Sequence, residues 1–167
     1  NAGRHSSSID LETGISLLQF GYDEDNHLVS ISDSNENLTT ITRNETGIPL
    51  SITSFDGLTT TLTIDASNQL TRISFPDNSY YAFEYSADSL MHGKTDPNGN
   101  RFDNQFDAIG RLTDVQDEEG GQWHYDRTLS LTGDIVTNVT SAEGVTNTYS
   151  DTSYASGEYY SIITGPN

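Results

Sequence analysis

Cysteine is absent, lysine occurs once, and apolar residues come in short runs broken by Ser, Thr or Asp. Without cysteine, neither a disulfide framework nor a thiolate metal site can staple the chain. No run approaches the ~18 apolar residues that a membrane helix needs, so no membrane span is expected. Basic residues are scarce too: seven Lys and Arg face 25 Asp and Glu, for a net charge of −18 and a pI near 4.1. Such a surface repels polyanions, which excludes nucleic acid and anionic lipid as expected partners. Leu, Ile, Val and Phe make up about 22% of the 167 residues, just above the ~20% level below which a charged chain stays disordered. The core must be thin. The opening Asn1-Ala2-Gly3 has neither Met nor an apolar leader, as expected of a processed chain or an excised segment.

What the chain does hold is 20 Ser, 21 Thr and 13 Asn beside its carboxylates. This is the composition of a solvent-facing protein, expected to be extracellular, secreted or at the cell surface. The length suits one domain or one compact repeat array.

A repeat is present. Tyr22-Asp23-x-x-Asn26-x-Leu28-x-x-Ile31 aligns with Ile64-Asp65-x-x-Asn68-x-Leu70-x-x-Ile73 and with Phe106-Asp107-x-x-Gly110-Arg111-Leu112-x-x-Val115, each 42 residues after the last. Eroded copies fall halfway, at 43–52 and 85–94, so the period is 21. Within each unit an Asp/Asn/Gly turn recurs, at Asp33, Asp56-Gly57, Asp77-Asn78, Asp96-Pro97-Asn98-Gly99 and Asp117 to Gly120, followed by aromatic or β-branched residues. Leu58/Leu62/Ile64, Tyr81/Phe83/Tyr85, Phe102/Phe106 and Trp123/Tyr125 share parity within their runs, which predicts strands. Helix signals are nearly absent.

Two strands of about six residues and two short turns fill 21 residues. One such hairpin cannot survive alone, but stacked hairpins pair strand with strand and align their apolar residues in ladders. The expected fold is therefore all-β, a spiralling antiparallel hairpin array with about 21 residues per hairpin. Leu28 and Ile31, like their counterparts, are separated by an odd number of residues. Either a bulge puts them on one face or both faces bury apolar groups; the spacing leaves both open. Residues 1–19 carry weak repeat signal and are expected to form a tail or capping strand. Residues 20–126 form the repeats, and 127–167 are degenerate repeats or a C-terminal cap. After Tyr125-Asp126 the next turn glycine is Gly133, which suggests turns lengthened by insertion.

The segment Phe106-Asp107-Ala108-Ile109-Gly110-Arg111-Leu112-Thr113, with Asp117 to Gly120 and Trp123 to Tyr125-Asp126 after it, closely resembles the YD repeat of Rhs proteins. Tyr22-Asp23 and Thr95 to Phe102 fit as well. The resemblance covers roughly residues 20–126, is strong in one unit, and implies a β-hairpin spiral of the kind that builds shells around bacterial toxin cargo and the barrel of teneurins. Those are containers or scaffolds, not catalysts. The signature positions carried over are Tyr22, Asp23, Asp65, Phe106, Asp107, Gly110, Arg111, Leu112, Tyr125 and Asp126. Toxin shells also bear a self-cleaving Asp-Pro-x-Gly, which Asp96-Pro97-Asn98-Gly99 matches only superficially, because it falls in register with the other turns. A complete shell needs many more repeats. The expected partners are thus a larger parent chain, or copies of this one joined through open sheet edges.

Asp23-Glu24-Asp25-Asn26, Asp33-x-Asn35-x-Asn37 and Asp96-x-Asn98-x-Asn100 offer oxygens at alternate positions, as a calcium loop does. Leu38 and Arg101 stand where such a loop needs Gly, so these residues read better as turn formers; no cofactor is expected, with calcium the one alternative. Asp117, Glu118 and Glu119 beside Trp123 could flank a glycosidic bond, but 25 acids guarantee some cluster by chance and no catalytic residue is assigned. His5, His27, His92 and His124 stand singly, without zinc spacing. Tyr80 and Trp123 are the candidate rings for stacking a sugar, Tyr80 because its parity opposes that of Tyr81. The alternatives to a structural role are thus a carbohydrate-binding or adhesive module, or a subunit of a head-to-tail polymer. Sequons at Asn37-Leu38-Thr39, Asn44-Glu45-Thr46 and Asn138-Val139-Thr140 matter only on a eukaryotic secretory route, which a bacterial-looking repeat argues against.

Overall fold

The computed structural model describes residues 3–131, 133–154 and 156–165, and among them the only regular elements are strands. No helix among the described residues is long and apolar enough to cross a membrane. The chain divides into two compact units, Asn1–Ala82 and Phe83–Asn167, built alike. The first holds β1 (Ser7–Ile9), β2 (Ser16–Tyr22), β3 (Leu28–Asp33), β4 (Leu38–Arg43), β5 (Pro49–Thr53), β6 (Thr59–Ile64), β7 (Leu70–Ser74) and the opening of β8 (Tyr80–Tyr85). The second holds the rest of β8, then β9 (Met91–Thr95), β10 (Arg101–Phe106), β11 (Leu112–Gln116), β12 (Gln122–Leu129), β13 (Ile135–Thr140), β14 (Thr146–Ser153) and β15 (Tyr159–Thr164). Within each unit strand order is chain order, and each described pairing is antiparallel. The all-β hairpin array expected from the 21-residue period is what the chain forms.

One turn geometry makes this possible. At Asp23, Asp33, Asn44, Ser54, Asp65, Phe75, Ser86, Asp96, Asp107 and Asp117 the first residue's N–H donates to the carbonyl four residues on. The N–H three residues on donates back to the first residue's carbonyl. The fourth residue of each turn lies in the left-handed region, as with Gly110 at φ 81° and Asn68 at φ 62°. This is a type I turn closed by a left-handed bulge residue, which matches the twist of the strands it joins. The turns fall alternately ten and eleven residues apart, and the two steps sum to the period.

Beyond Asp117 the same turn recurs at Ser130, Ser141 and Tyr154, at steps of 13, 11 and 13. Here the expectation of lengthened turns is corrected. The turns keep their size, and it is β12 and β14 that grow to eight residues. A longer hydrogen-bonded ladder satisfies the added backbone groups, which a longer loop would leave to water.

The pairing also decides the question of parity. Phe20 faces Ile31, Gly21 faces Ser30 and Tyr22 faces Leu28, leaving Val29 without an opposite number. Leu50, Thr71 and Thr113 are bulged in the same way. Each bulge restores Leu28 and Ile31, Leu70 and Ile73, or Leu112 and Val115 to one side, where all six are half-buried. The pairings of β12 through β15 run without such a shift.

Apolar rungs follow from this register. In the first unit Ile73 lies between Leu62 and Tyr81, and the Phe75 ring meets Tyr81 edge-on at 6.0 Å. In the second, Trp123 faces Val115 and Tyr125 faces Val139. No apolar side chain among the described residues is fully buried. Each rung is only partly covered, so a side chain here contributes roughly 1 kcal/mol where full burial would give ~1.5–3 kcal/mol. Stability is the sum of many small neighbour terms.

Candidate functional site

Eight of the ten signature residues, all but Tyr125 and Asp126, lie in or beside turns. The Asp107 Oδ1 accepts the N–H of Ile109 at 3.0 Å and of Arg111 at 2.9 Å, and its Oδ2 meets Arg111 Nε at 2.7 Å. Asp65 Oδ1 accepts the N–H groups of Ser67 and Gln69, and Asp23 Oδ1 that of His27 at 2.7 Å. The same clamp recurs at Asp33, where the Asn37 amide donates to Oδ2 at 2.8 Å, and at Asp96, where Asn100 does so at 2.9 Å. A carboxylate two bonds from the backbone is the right length to cap its own turn, which a Glu would overshoot. These N–H donors favour the charged form: the Arg111 N–H holds Asp107 below the usual carboxylate range, and that of His27 does the same for Asp23.

The rest of the motif completes the turn. Tyr22 and Phe106 precede it and face Leu28 and Leu112, closing each hairpin with an apolar pair. Gly110 supplies the left-handed residue, and Arg111 supplies the second arm of the clamp. Tyr125 faces Val139 from within β12. Asp126 lies in the same strand opposite Asn138, and the turn that follows opens on Ser130 instead. The N-terminal segment is tied to the first copy: the Tyr22 hydroxyl donates to the His5 carbonyl at 2.9 Å, and β1 pairs with β2.

Asp117, Glu118 and Glu119 form a turn in which Asp117 Oδ1 accepts the N–H groups of Glu119 and Gly121, while both glutamates are exposed. Asp96-Pro97-Asn98-Gly99 is an ordinary member of the turn series. Among the described residues no group of three or more His, Asp or Glu is arranged to hold a metal ion. Tyr80 is 39% exposed, yet the Arg72 guanidinium sits 3.5 Å from its ring centroid, covering one face. Trp123 is half-buried. A hollow of about 430 Å³ beside the 33–37 turn is lined by Ser16, Gln19, Ser32, Asp33 and Glu36, with Leu38 as its apolar wall. That lining lacks the apolar majority of a small-molecule pocket.

Two arrangements were not legible in the motif. Arg101 on β10 reaches across Gly93 on β9 to pair with Glu84 on β8 at 2.8 Å, and also holds Asp103. A Cβ on Gly93 would lie 2.6 Å from the Arg101 Nη2, so the missing side chain is what lets the guanidinium cross. His124 Nδ1 meets Asp114 at 2.8 Å. Glycine diagonal to a long cation on the next strand, with Gly93 opposite Asp103 and Arg101 opposite Thr95, was the available signal.

An antiparallel hairpin array whose turns are capped largely by their own aspartates and recur mostly every ten or eleven residues is a YD-type repeat protein. Residues 1–161 match the family model described as teneurin YD-shell, and the chain belongs to that family. It is 26% identical to mouse teneurin-4 over 97% of its length and 31% identical to mouse teneurin-3 over 80%. It spans only 6% and 5% of those proteins. Its fold matches a Photorhabdus luminescens Tc holotoxin pore and the TcdB2–TccC3 complex, each with a TM-score of 0.59 at 12% identity. In both cases the match covers 89% of this chain and 9% of the other.

Proposed function

We propose that the chain is a non-catalytic segment of a larger β-shell on an exported or cell-surface protein. The observation that carries this reading is that the signature carboxylates Asp23, Asp65 and Asp107 are engaged in holding turns, where a catalytic reading would need them aimed at a cavity. In the second unit β15 supports it too, since it is paired through β14 and exposed along its whole length. An edge strand bearing Tyr159, Tyr160, Ile162 and Ile163 calls for a further strand beside it. Glycan stacking on Tyr80 is the weaker reading, because Arg72 already covers that ring.

Amide exchange tests the shell reading. In the chain alone, amides of 159–164 that do not bond β14 should exchange freely. Joined to the residues that follow in its parent protein, they should slow by at least about tenfold, as a new ladder forms. Unchanged exchange in the longer protein would overturn the proposal.

The shell needs no cation. The Asp oxygens that would ligate calcium already accept turn N–H groups. EDTA or millimolar calcium should therefore move the calorimetric Tm by less than about 1 °C, because only an ion bound to the native state would raise it. A calcium-dependent rise of several degrees would count against this.

A further inference from the structure

The three sequons differ sharply in what their asparagines do. Asn138 lies inside β13 between Asp126 and Thr148, half-buried, and its Oδ1 accepts the Thr148 hydroxyl at 2.8 Å. Asn37 is half-buried as well, and its Nδ2, the atom that a glycan transfer must use, donates to Asp33 Oδ2 at 2.8 Å. Asn44 is different. It opens a turn in the place held by aspartate at Asp23, Asp65 and Asp107, and performs the capping with Oδ1 alone, accepting Thr46 N–H at 3.0 Å and Ile48 N–H at 2.9 Å.

At Asp23 and Asp107 the second carboxylate oxygen meets a polar side chain four residues on, His27 and Arg111. At Asn44 that position is Ile48, which has no polar group, and the atom replacing the second oxygen is the amide nitrogen. Asn44, Glu45 and Thr46 are all exposed, and the Thr46 hydroxyl donates to Asn44 Oδ1 at 2.9 Å. Asparagine thus keeps the turn with one atom and leaves the other facing water.

We infer that Asn44 is the acceptor for an N-linked glycan and that Asn37 and Asn138 are not. The donor is a lipid-pyrophosphate-linked oligosaccharide acted on by its transferase. The Asn44 Nδ2 forms a bond to the sugar C1, the bond from C1 to the pyrophosphate oxygen breaks, the lipid pyrophosphate leaves, and one Nδ2 proton passes to base. The repeat is not confined to bacteria, since the relatives this chain matches include mouse proteins. The inference rests on the exported half of the reading above. Amide exchange at β15 and glycan mapping report separate properties, so either can fail alone.

The test is secretion of the full chain from mammalian cells behind a cleavable signal, followed by peptide mapping before and after amidase removal of glycans. Most molecules should carry a glycan on Asn44, with Asn37 and Asn138 unmodified. Asn44→Asp should abolish the mass shift while leaving secretion and strand content unchanged, since the same turn opens on Asp elsewhere, and Thr46→Ala should abolish it as well. A secreted chain with bare Asn44, or with Asn138 or Asn37 occupied as fully as Asn44, would overturn the inference.

Discussion

Gly110→Val should lower the melting midpoint by about 4–8 °C, whereas Gly110→Asn should stay within about 2 °C of the unaltered chain. Gly110 sits at φ 81° with Leu90 Cδ1 3.6 Å from where a Cβ would stand, so space is ordinary and the backbone dihedral dominates. A β-branched residue forced into the left-handed region costs about 2 kcal/mol or more. Asparagine tolerates that region, and Asn26, Asn68 and Asn78 already occupy the same turn position in other copies. Because each strand leans on its chain neighbours, the loss should be local: amide protection in β10 and β11 falls first, while β2 to β5 keep theirs. Equal melting of the Val and Asn variants would show that the left-handed residue is not what holds the turn.

The period, the strand class and the pairing of neighbours were legible because each rests on spacing. The turns were legible less evenly. Their marker aspartates stand 23, 21, 19 and 21 residues apart in sequence, although the second turn series recurs regularly at Asp33, Ser54, Phe75, Asp96 and Asp117. The wobble arises because Asp can cap from the first place, as Asp33 does, or from the third. Asp56 accepts the Ser54 hydroxyl and the Leu58 N–H, and Asp77 accepts the Ser79 N–H at 2.9 Å. Two chemically equivalent caps two residues apart blur a motif that geometry keeps sharp.

Bulges and lengthened strands were hidden for a related reason. A bulged Val29 or Thr113 looks like any strand residue, and only the pairing of Tyr22 with Leu28 or Phe106 with Leu112 reveals the skipped position. Likewise Tyr125-Asp126 imitates the signature, yet hydrogen bonding carries β12 on to Leu129 before the chain turns. The Arg101 bridge over Gly93 and the Arg72 cover on Tyr80 depend on which residues share a face across neighbouring strands, and that is known only once register is known.

Stability should be nearly flat from pH 8 to 5 and then fall steeply below about pH 4. The sign follows from the turn caps. The Asn37 side chain and N–H hold Asp33 low, the Ser54 hydroxyl lowers Asp56, that of Ser79 lowers Asp77, and the Arg111 N–H lowers Asp107. With folded-state values below those of the open chain, the unfolded state takes up protons first as pH drops. The stabilisation is complete above the open-chain value near 4 and disappears as pH passes down through the folded values. Neutralising the net charge of −18 acts the other way by relieving repulsion. The two are separable, because 0.5 M salt screens repulsion between distant carboxylates but leaves short turn hydrogen bonds largely intact. Acid lability should therefore persist in high salt. A chain carrying Asp23→Asn, Asp33→Asn and Asp107→Asn keeps the capping oxygen, as Asn44 does, but cannot titrate there. Its unfolding midpoint in an acid titration should shift to lower pH; a midpoint unchanged from the parent chain would mean that the turn carboxylates do not set the acid limit.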